Sequence, residues 1–459
     1  MHRNLTPGMW NKFLGRMLGG ALLVAAASTA AGQQDSVDLS TYQGPGIISP
    51  GAGNIGLRSG EQVNLRYYAG VSGIVDTNLQ PFVSDAQGNL IRIHNLYGVD
   101  VSGGAYGVHH WKRAQLGLDY RGDYRQYANS DALNGSDQNL TLGYTAQLSR
   151  RWTLDLREAA GTVSIATSQL ASTPAIDGTA LITPASLLFD SRTTFLQSSA
   201  NMTYFQSART SFTFGGSGFL QEQKVTGLSN SGGYTFTGSV QRRISKNTTL
   251  GATYTYSHFE FPVFHSNSDS NAYQGTFATA LGQFWTFSLQ AGATVTEVNN
   301  LLTFALSPEL AALFGQASIT ENAYSHTIYP SGMATLERKF RRADLRFNYY
   351  RDLNSGNGSS GTARRESANV AFSYTGIRKV NIGVYGGYYN LVSIGQNTGA
   401  FTTYNGSAGF TYTLGHGVSV SARYDVNKQI IDIGHFDRVS TRATLGLMFS
   451  PGNLPLALW

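Results

Sequence analysis

Apolar and polar residues alternate along most of this chain, most clearly in residues 234–257. One side of that stretch is apolar and consists of every second residue: Tyr234, Phe236, Gly238, Val240, then Leu250, Ala252, Tyr254 and Tyr256. The residues between them are mostly Thr, Ser, Gln and Arg, and a polar turn at 245–248 divides the two halves. A period of two is that of a β-strand with one apolar and one polar face. The stretch therefore predicts a β-hairpin with legs of about ten residues.

Short polar turns divide the rest of the chain in the same way. We place eight of them, near Lys112, Arg150, Ala208, Lys246, Gln283, Arg342, Arg378 and His416. Successive turns are separated by 36–38 residues, or by 58–59 where insertions lie at residues 165–191 and 298–329. A unit of the shorter length holds two strands of roughly 9–12 residues, a tight turn and a longer loop, which is the repeat of a transmembrane β-barrel.

The turns also predict the number of strands. Eight tight turns join sixteen strands, and residues 62–77 and 439–449 supply one more at each end. We expect an all-β, antiparallel up-and-down transmembrane barrel of eighteen strands, with short periplasmic turns and longer extracellular loops. Sixteen is the alternative if the weak strand at residues 99–108 and one neighbour are misassigned.

Tryptophan gives an independent indication of the membrane boundary. Trp111, Trp152 and Trp285 lie beside tight turns, and Trp459 is the final residue. Tryptophan favours a membrane interface because its ring is apolar and its N–H needs a hydrogen-bond acceptor. All four are expected to mark the periplasmic rim.

The N-terminal region differs from the repeat. Residues 1–32 have basic residues at the start, an apolar run at 17–27 and small residues before Gln33, which together predict a secretory signal peptide. A membrane anchor is the alternative interpretation of that run, although it is short for a spanning helix. Residues 33–60 are rich in Gly, Pro, Ser and Asn and predict a periplasmic extension. The barrel is expected over residues 61–459.

Composition and charge exclude several classes of protein. The 25 tyrosines and 24 phenylalanines, with only 13% charged residues, exclude a disordered chain. The absence of cysteine excludes a disulfide framework. The net charge of +6 suits nucleic acid in principle, but the basic residues are scattered among turns and polar strand faces, so no nucleic-acid partner is expected.

The repeat and the last predicted strand resemble those of a known class. With Leu445, Leu447 and Phe449 outward, the hairpins and this strand resemble Gram-negative outer-membrane porins and the related barrels that export polysaccharide. The resemblance implies a location in the outer membrane of a diderm bacterium, contact with its lipid and lipopolysaccharide, and insertion by the barrel-assembly machinery. Nine residues separate Phe449 from Trp459, so either aromatic residue could end the assembly signal that this class carries.

Alternation also predicts which charged side chains point into the barrel. If Leu116, Leu118, Tyr120 and Tyr124 face lipid, the residues between them face the lumen. The same reasoning, applied to each strand, predicts these pore-lining residues: Arg66, Asp119, Arg121, Asp123, Arg125, Asp155, Arg157, Glu337, Lys339, Asp344, Arg346, Arg423, Asp425 and Arg442.

Three of these arginines are expected to meet at the closing seam, because barrel closure makes the first and last strands neighbours. Counted from the strand ends, Arg66, Arg423 and Arg442 reach a similar height, and a ladder of this kind would attract anions in a narrow pore. The alternative is that Asp425 and nearby carboxylates pair with the arginines and neutralise the wall.

Three features have local interpretations. Ser307 and Pro308 predict a helix at residues 310–319 that folds into the lumen or lies over the mouth. Glu158 falls on the lipid side of its strand, which predicts a β-bulge there or a position near the outer interface. His265 and Ser266 superficially resemble the catalytic His and Ser of outer-membrane lipid hydrolases. They lie in a polar loop, however, so no enzyme, cofactor or metal site is expected.

The expected function is that of a channel for small hydrophilic solutes, including anionic ones. The alternative is the outer-membrane exit of an exopolysaccharide pathway, in which Tyr68, Tyr385 and Tyr389 would stack on sugars. A surface scaffold or adhesin with a closed lumen is a further alternative. A homo-oligomer is also an alternative to a monomer. Porin trimers bury a flat outer wall, and a single sequence does not show whether such a wall is present.

Overall fold

The described part of the chain is built from twenty β-strands joined by turns. The computed structural model describes residues 66–78, 83–84, 90–91, 95–128, 134–164, 192–223, 229–263, 265–305, 318–354, 361–394, 400–432 and 436–450. The strands are β1(Arg66–Thr77), β2(Val83–Ser84), β3(Leu90–Ile91), β4(Asn95–His110), β5(Ala114–Tyr127), β6(Gly135–Gln147), β7(Trp152–Ser164), β8(Arg192–Phe205), β9(Thr210–Gln223), β10(Ser231–Arg243), β11(Thr248–Phe261), β12(Ser266–Leu281), β13(Trp285–Ala305), β14(Ser318–Lys339), β15(Ala343–Asn354), β16(Ala363–Ile377), β17(Val380–Ser393), β18(Ala400–Gly415), β19(Val418–Ile431) and β20(Phe436–Phe449).

Eighteen of these strands close into one antiparallel barrel. Each strand from β4 to β20 pairs with its neighbour in sequence, and β1 lies between β4 and β20. The strands β2 and β3 pair only with each other, in the first long connection. The prediction of an all-β barrel with eighteen strands is confirmed, and the alternative of sixteen is wrong. The weakly patterned residues 99–108 lie inside β4.

All eight predicted tight turns are present. Each connects two strands by two to four residues, from the β4–β5 turn at Trp111 to the β18–β19 turn at His416. Lys379 and His416 have φ angles of 65° and 53°, the left-handed conformation that two-residue hairpin turns require. The long connections all lie at the opposite end of the barrel.

The two faces of the wall have opposite character. Large apolar side chains are exposed on the outside, among them Phe214, Phe236, Tyr273 and Leu445. The alternate positions face inward and carry most of the buried Asp, Arg, Ser and Thr side chains. In the described ranges, no helix is long and apolar enough to cross a membrane.

The hairpin of β13 and β14 is longer than the sequence pattern indicates. Residues 298–305 and 318–329 were expected to belong to an inserted loop, but they continue the two strands. The predicted helix is wrong at Ser318 and Ile319, which are in β14, and its remaining residues lie outside the described ones. The pairing of β14 with β15 stops at Gly332, two residues after Pro330, which has no N–H to donate to a neighbouring strand.

Glu158 lies at neither of its two expected positions. The registers of β7 with β6 and with β8 run without a break past this residue, so there is no bulge. Glu158 is the seventh of thirteen residues in β7, which places it in the middle of the strand. The carboxylate therefore lies on the outer face, directly opposite Leu142 and Ser198.

Candidate functional site

The candidate site is the inner wall of the barrel, where charged residues come in pairs two positions apart on one strand. Side chains at positions i and i+2 share a face, so an acid and a base in this spacing can contact each other. Five such pairs do so: Asp119 with Arg121 at 2.5 Å, Asp123 with Arg125 at 2.9 Å, Asp155 with Arg157 at 3.1 Å, Glu337 with Lys339 at 3.6 Å and Arg423 with Asp425 at 2.6 Å.

The most buried ion pair lies at the closing seam. Arg442 of β20 forms a bidentate pair with Asp76 of β1, with N–O distances of 2.6 and 2.9 Å. The hydroxyl of Tyr127 on β5 donates to the same carboxylate at 2.5 Å and accepts from Arg442 at 3.2 Å. Asp76 is fully buried and Arg442 is 6% exposed. Three strands from the two ends of the barrel sequence are thereby fastened together.

Tyr127 reaches Asp76 because the strand between them carries a glycine. Gly98 of β4 lies opposite Tyr127 in the sheet, and the tyrosine ring covers it. A Cβ at residue 98 would lie 2.9 Å from the Tyr127 ring and 2.6 Å from the carbonyl oxygen of Gln126. A side chain at this position would displace the ring from the seam.

A second buried arginine is surrounded by carboxylates. Arg125 contacts Asp100 of β4 at 3.1 Å, Asp123 of its own strand at 2.9 Å and Asp137 of β6 at 3.6 Å. Its side chain is 8% exposed. The guanidinium is therefore fully occupied by the wall and carries little free positive charge toward the lumen.

The predicted ladder of three arginines is wrong. Arg423 and Arg442 are near each other, because the register of β19 with β20 places Arg442 directly opposite Asp425, the ion-pair partner of Arg423. Arg66, however, lies opposite Tyr106 near the tight-turn end, ten positions along β1 from Asp76, the register partner of Arg442. Ten residues of strand span about 33 Å. The alternative interpretation, in which carboxylates neutralise these arginines, describes Arg423 and Arg442.

The charged residues predicted on β14 and β15 form a smaller group of ion pairs, away from the closing seam. Glu337 contacts both Arg346 at 3.2 Å and Lys339 at 3.6 Å. Asp344 lies opposite Lys339 in the ladder. Further toward the loop end, Arg365 forms a bidentate pair with Asp352, with N–O distances of 2.8 and 2.5 Å, and this pair was not predicted from the sequence.

A further hydrogen bond joins two parts of the inner wall that are not adjacent in the sheet. The hydroxyl of Thr362, just before β16, donates to that of Ser268 on β12 at 2.5 Å. Three strands separate β12 from β16, and both residues are fully buried. This contact therefore connects parts of the wall that strand pairing alone does not bring together.

Of the three tyrosines expected to stack on sugars, Tyr68 is buried and Tyr389 is half-buried. Tyr68 packs against Tyr106 and Met448, with its ring centroid 6.5 Å from that of Tyr106. Tyr389 packs against a cluster of Ala363, Leu391 and Phe401 inside the loop end of the barrel. Tyr68 is therefore covered by its neighbours, and part of the Tyr389 ring is used in packing.

Sequence reasoning missed the acidic partners of its own arginines. Asp76, Asp100 and Asp137 were not named, although each lies at an inward position of a strand whose alternation was recognised. Their inward phase was a usable signal, but which arginine each one meets depends on the register between strands. Within the described ranges, no group of three or more His, Asp or Glu residues could hold a metal ion.

The fold and this wall define a closed, antiparallel, eighteen-stranded barrel with a polar interior. No protein-family model matches the chain, and no curated protein matches it in sequence. Among solved structures, it is similar to OccK5 (OpdH) of Pseudomonas aeruginosa, with 12% identity over 84% of this chain and 98% of the other and a TM-score of 0.38. It is also similar to OccK2 (OpdF) of the same species in complex with glucuronate, with 11% identity over 84% of this chain and 98% of the other and a TM-score of 0.39. A third similar structure is OccAB4 of Acinetobacter baumannii, with 10% identity over 85% of this chain and 98% of the other and a TM-score of 0.37. Because each TM-score is below 0.5, these matches add nothing to what the barrel itself shows about this chain.

Proposed function

We propose that the chain is an outer-membrane channel for the passive passage of small hydrophilic solutes. The observation that carries the proposal is the closed eighteen-stranded barrel with apolar side chains exposed outside and polar ones inside. Closure leaves no unpaired edge among the barrel strands at mid-height, as a membrane-spanning sheet requires. A barrel of this strand number is wide enough to hold an aqueous path.

The pore-lining role of the fourteen charged residues predicted from the sequence is part of this proposal. Their pairing supports a weakly charged path: Arg121, Arg125, Arg423 and Arg442 each have a carboxylate within 3.1 Å. Paired charges cancel much of each other's field in the lumen. The channel therefore passes neutral solutes as well as anions, and size at the contact between Thr362 and Ser268 is the main filter.

The location and partners follow from the same proposal. Residues 1–32 act as the export signal, residues 33–60 precede the barrel in the periplasm, and the exposed apolar wall contacts outer-membrane lipid and lipopolysaccharide after insertion by the barrel-assembly machinery. Nothing in the described wall identifies the face of a homo-oligomer. Export of polysaccharide is not favoured, because Tyr68 is buried and Tyr389 packs against an apolar cluster.

A liposome-swelling assay tests the proposal. Liposomes containing the purified barrel are diluted into isotonic solutions of neutral sugars of increasing size, from arabinose to raffinose. We expect swelling with the smaller sugars, a rate that falls with solute size, and little difference between sugars and amino-acid zwitterions of similar mass. A folded barrel that gives no swelling with any solute would favour a scaffold with a closed lumen.

A further inference from the structure

An uncharged patch of hydroxyl groups covers the inner wall over strands β8 to β11. The registers of these strands place residues 199–203, 213–217, 235–239 and 253–257 side by side. The inward positions of the four segments, three on each strand, hold four serines, six threonines, Asn201 and Gly215. All of them are partly exposed, and none carries a charge. These positions are called the hydroxyl patch below.

The hydroxyl patch consists of cross-strand rows that are set by the register. In the row nearest the loop end, Ser199, Ser217, Thr235 and Ser257 are direct neighbours on four successive strands. Neighbouring strands are about 4.8 Å apart, and successive inward positions on one strand are about 6.7 Å apart. The wall therefore presents hydroxyl groups at short, regular intervals in two directions.

The hydroxyl groups of the patch keep capacity for further hydrogen bonds. Three cross-strand pairs contact each other: Thr203 with Thr213 at 3.1 Å, Thr235 with Ser257 at 3.1 Å and Thr237 with Thr255 at 3.3 Å. A hydroxyl has one hydrogen and two lone pairs, so the contact within a pair uses one hydrogen and one lone pair. Each pair therefore still has a donor and several acceptor sites for a solute in the lumen.

An aromatic ring borders the hydroxyl patch on the side of the loop end. Phe219 lies two residues beyond Ser217 on β9, so the two side chains share the inward face. The Phe219 ring lies against Gly233 of β10 and packs on Phe259 of β11, with ring centroids 5.9 Å apart. Phe259 is buried, whereas Phe219 is partly exposed. An apolar ring and a field of hydroxyl groups are thereby adjacent on the inner wall.

Uncharged sugars match this arrangement better than ions do. A sugar ring has hydroxyl groups along its edge, which donate and accept, and C–H groups on its faces. The hydroxyl patch can bond to several sugar hydroxyls at once, while Phe219 packs on an apolar ring face. An ion would lose part of its hydration there without gaining a counter-charge. The inward charges next to the patch on β7, Asp155 and Arg157, pair with each other at 3.1 Å.

We propose that the hydroxyl patch and Phe219 form a binding site for uncharged mono- and disaccharides on their way through the channel. The sugar hydroxyls bond to Ser217, Thr235 and Ser257, and one face of the ring packs on Phe219. The site rests on the proposed function, because its solute reaches it through the lumen, and it names the class of that solute. Isotonic sugar saturates a site of millimolar affinity, so the dependence of swelling on solute size is unchanged.

Block of the ion current by sugar tests the proposal. The refolded full chain is inserted into a planar bilayer in KCl, and sucrose is added in increasing concentration. We expect a saturable reduction of the current at millimolar sucrose. Polyethylene glycol of the same hydrodynamic radius has ether oxygens along its chain, which accept but do not donate, and should reduce the current only in proportion to the volume that it occupies. Equal reduction by the two solutes at every concentration would overturn the proposal.

Variants that remove hydroxyl groups locate the site. Ser217→Ala/Thr235→Val/Ser257→Ala should raise the half-blocking sucrose concentration about ten-fold and leave the KCl conductance unchanged, because the loss affects hydrogen bonds to the sugar and no charge. The control is Thr248→Val/Thr279→Val, which removes a hydroxyl pair at 3.1 Å from the outer face and should leave the block unchanged. An unchanged block in the triple variant would contradict the site.

Saturation-transfer NMR of the folded barrel in detergent measures binding without conduction. Glucose should receive saturation from the barrel, glucuronate should receive much less because of its charge, and the triple variant should lose the glucose signal. Phe219→Leu should weaken glucose but not sorbitol, an open-chain polyol without a ring face, and equal effects on both would remove Phe219 from the site. A conducting barrel without a glucose signal would overturn the site and leave the channel function intact. Glucose binding in a barrel that conducts no ions would do the reverse.

Discussion

Asp76 and Arg442 are 366 positions apart in the sequence, yet they form the most buried ion pair of the described barrel wall. The pair bridges the first and last strands, and Tyr127 completes its hydrogen bonding. A barrel stays closed only if its terminal strands remain together. This contact is therefore where the closing seam depends most on single side chains.

Removing one partner of the pair should destabilise the barrel. Asp76→Asn leaves the buried guanidinium of Arg442 without its counter-ion, and breaking a buried pair typically costs 3–5 kcal/mol, taken here as about 3 kcal/mol. Urea unfolding of the refolded barrel in detergent measures the loss. The control is Lys428→Gln, which breaks the exposed pair with Asp437 at 3.0 Å and should cost less than about 1 kcal/mol. Equal effects of the two substitutions would contradict a special role of the seam.

Gly98 should not tolerate a side chain. In Gly98→Ala the new methyl group overlaps the Tyr127 ring and the carbonyl oxygen of Gln126, so we expect a loss of about 1–3 kcal/mol in the free energy of unfolding. Gly143→Ala is the matched control on the same wall, because a Cβ there meets no atom within 4 Å. The interpretation fails if both alanine variants unfold at the same urea concentration.

A disulfide should form readily between positions 362 and 268, because Thr362 and Ser268 are already in contact. The chain has no cysteine, so Thr362→Cys/Ser268→Cys introduces the only pair. We expect cross-linking under mild oxidation, detected as faster migration of the unfolded chain in a non-reducing gel, and little change in conductance because the contact already exists. Thr362→Cys/Ser270→Cys, with the partner moved to the next inward position on β12, should cross-link more slowly. Equal rates would mean that the contact is not specific.

Removing acidic partners of Arg125 should make the channel prefer anions. In Asp123→Asn/Asp137→Asn, only Asp100 remains beside the guanidinium. Two negative charges are removed, so the net charge of the wall becomes more positive by two. The reversal potential in a KCl gradient should be small for the original chain and should shift toward the chloride potential in the variant. The shift should shrink as salt rises from 0.1 to 1 M, where the Debye length falls from about 10 to 3 Å. An unshifted potential would place this cluster away from the ion path.

The sequence was sufficient to predict the architecture and the strand phase of several charged residues. All eight tight turns, the eighteen strands and the phase of residues such as Asp119 and Arg423 follow from a period of two and from turn residues, which are local signals. The length of β13 and β14 was not predicted, because the strands continue into residues 298–305 and 318–329, where the pattern indicated an insertion.

The error at Arg66 has a different origin. Heights were counted from the strand ends, but the position of one strand beside another is set by the stagger of the closed barrel. The registers of β1 with β4 and β20 depend on the whole ring of strands, and no local pattern reports them. Ion pairs such as that of Arg442 with Asp76 could not be predicted from the sequence for the same reason.

Single-channel recording tests the central proposal most directly. The purified, refolded barrel is added to a planar lipid bilayer in 1 M KCl, and current is recorded at fixed voltages of both signs. We expect discrete, stable conductance steps with a nearly linear current–voltage relation. A barrel that is shown to be folded and inserted but gives no current at any voltage would contradict the account.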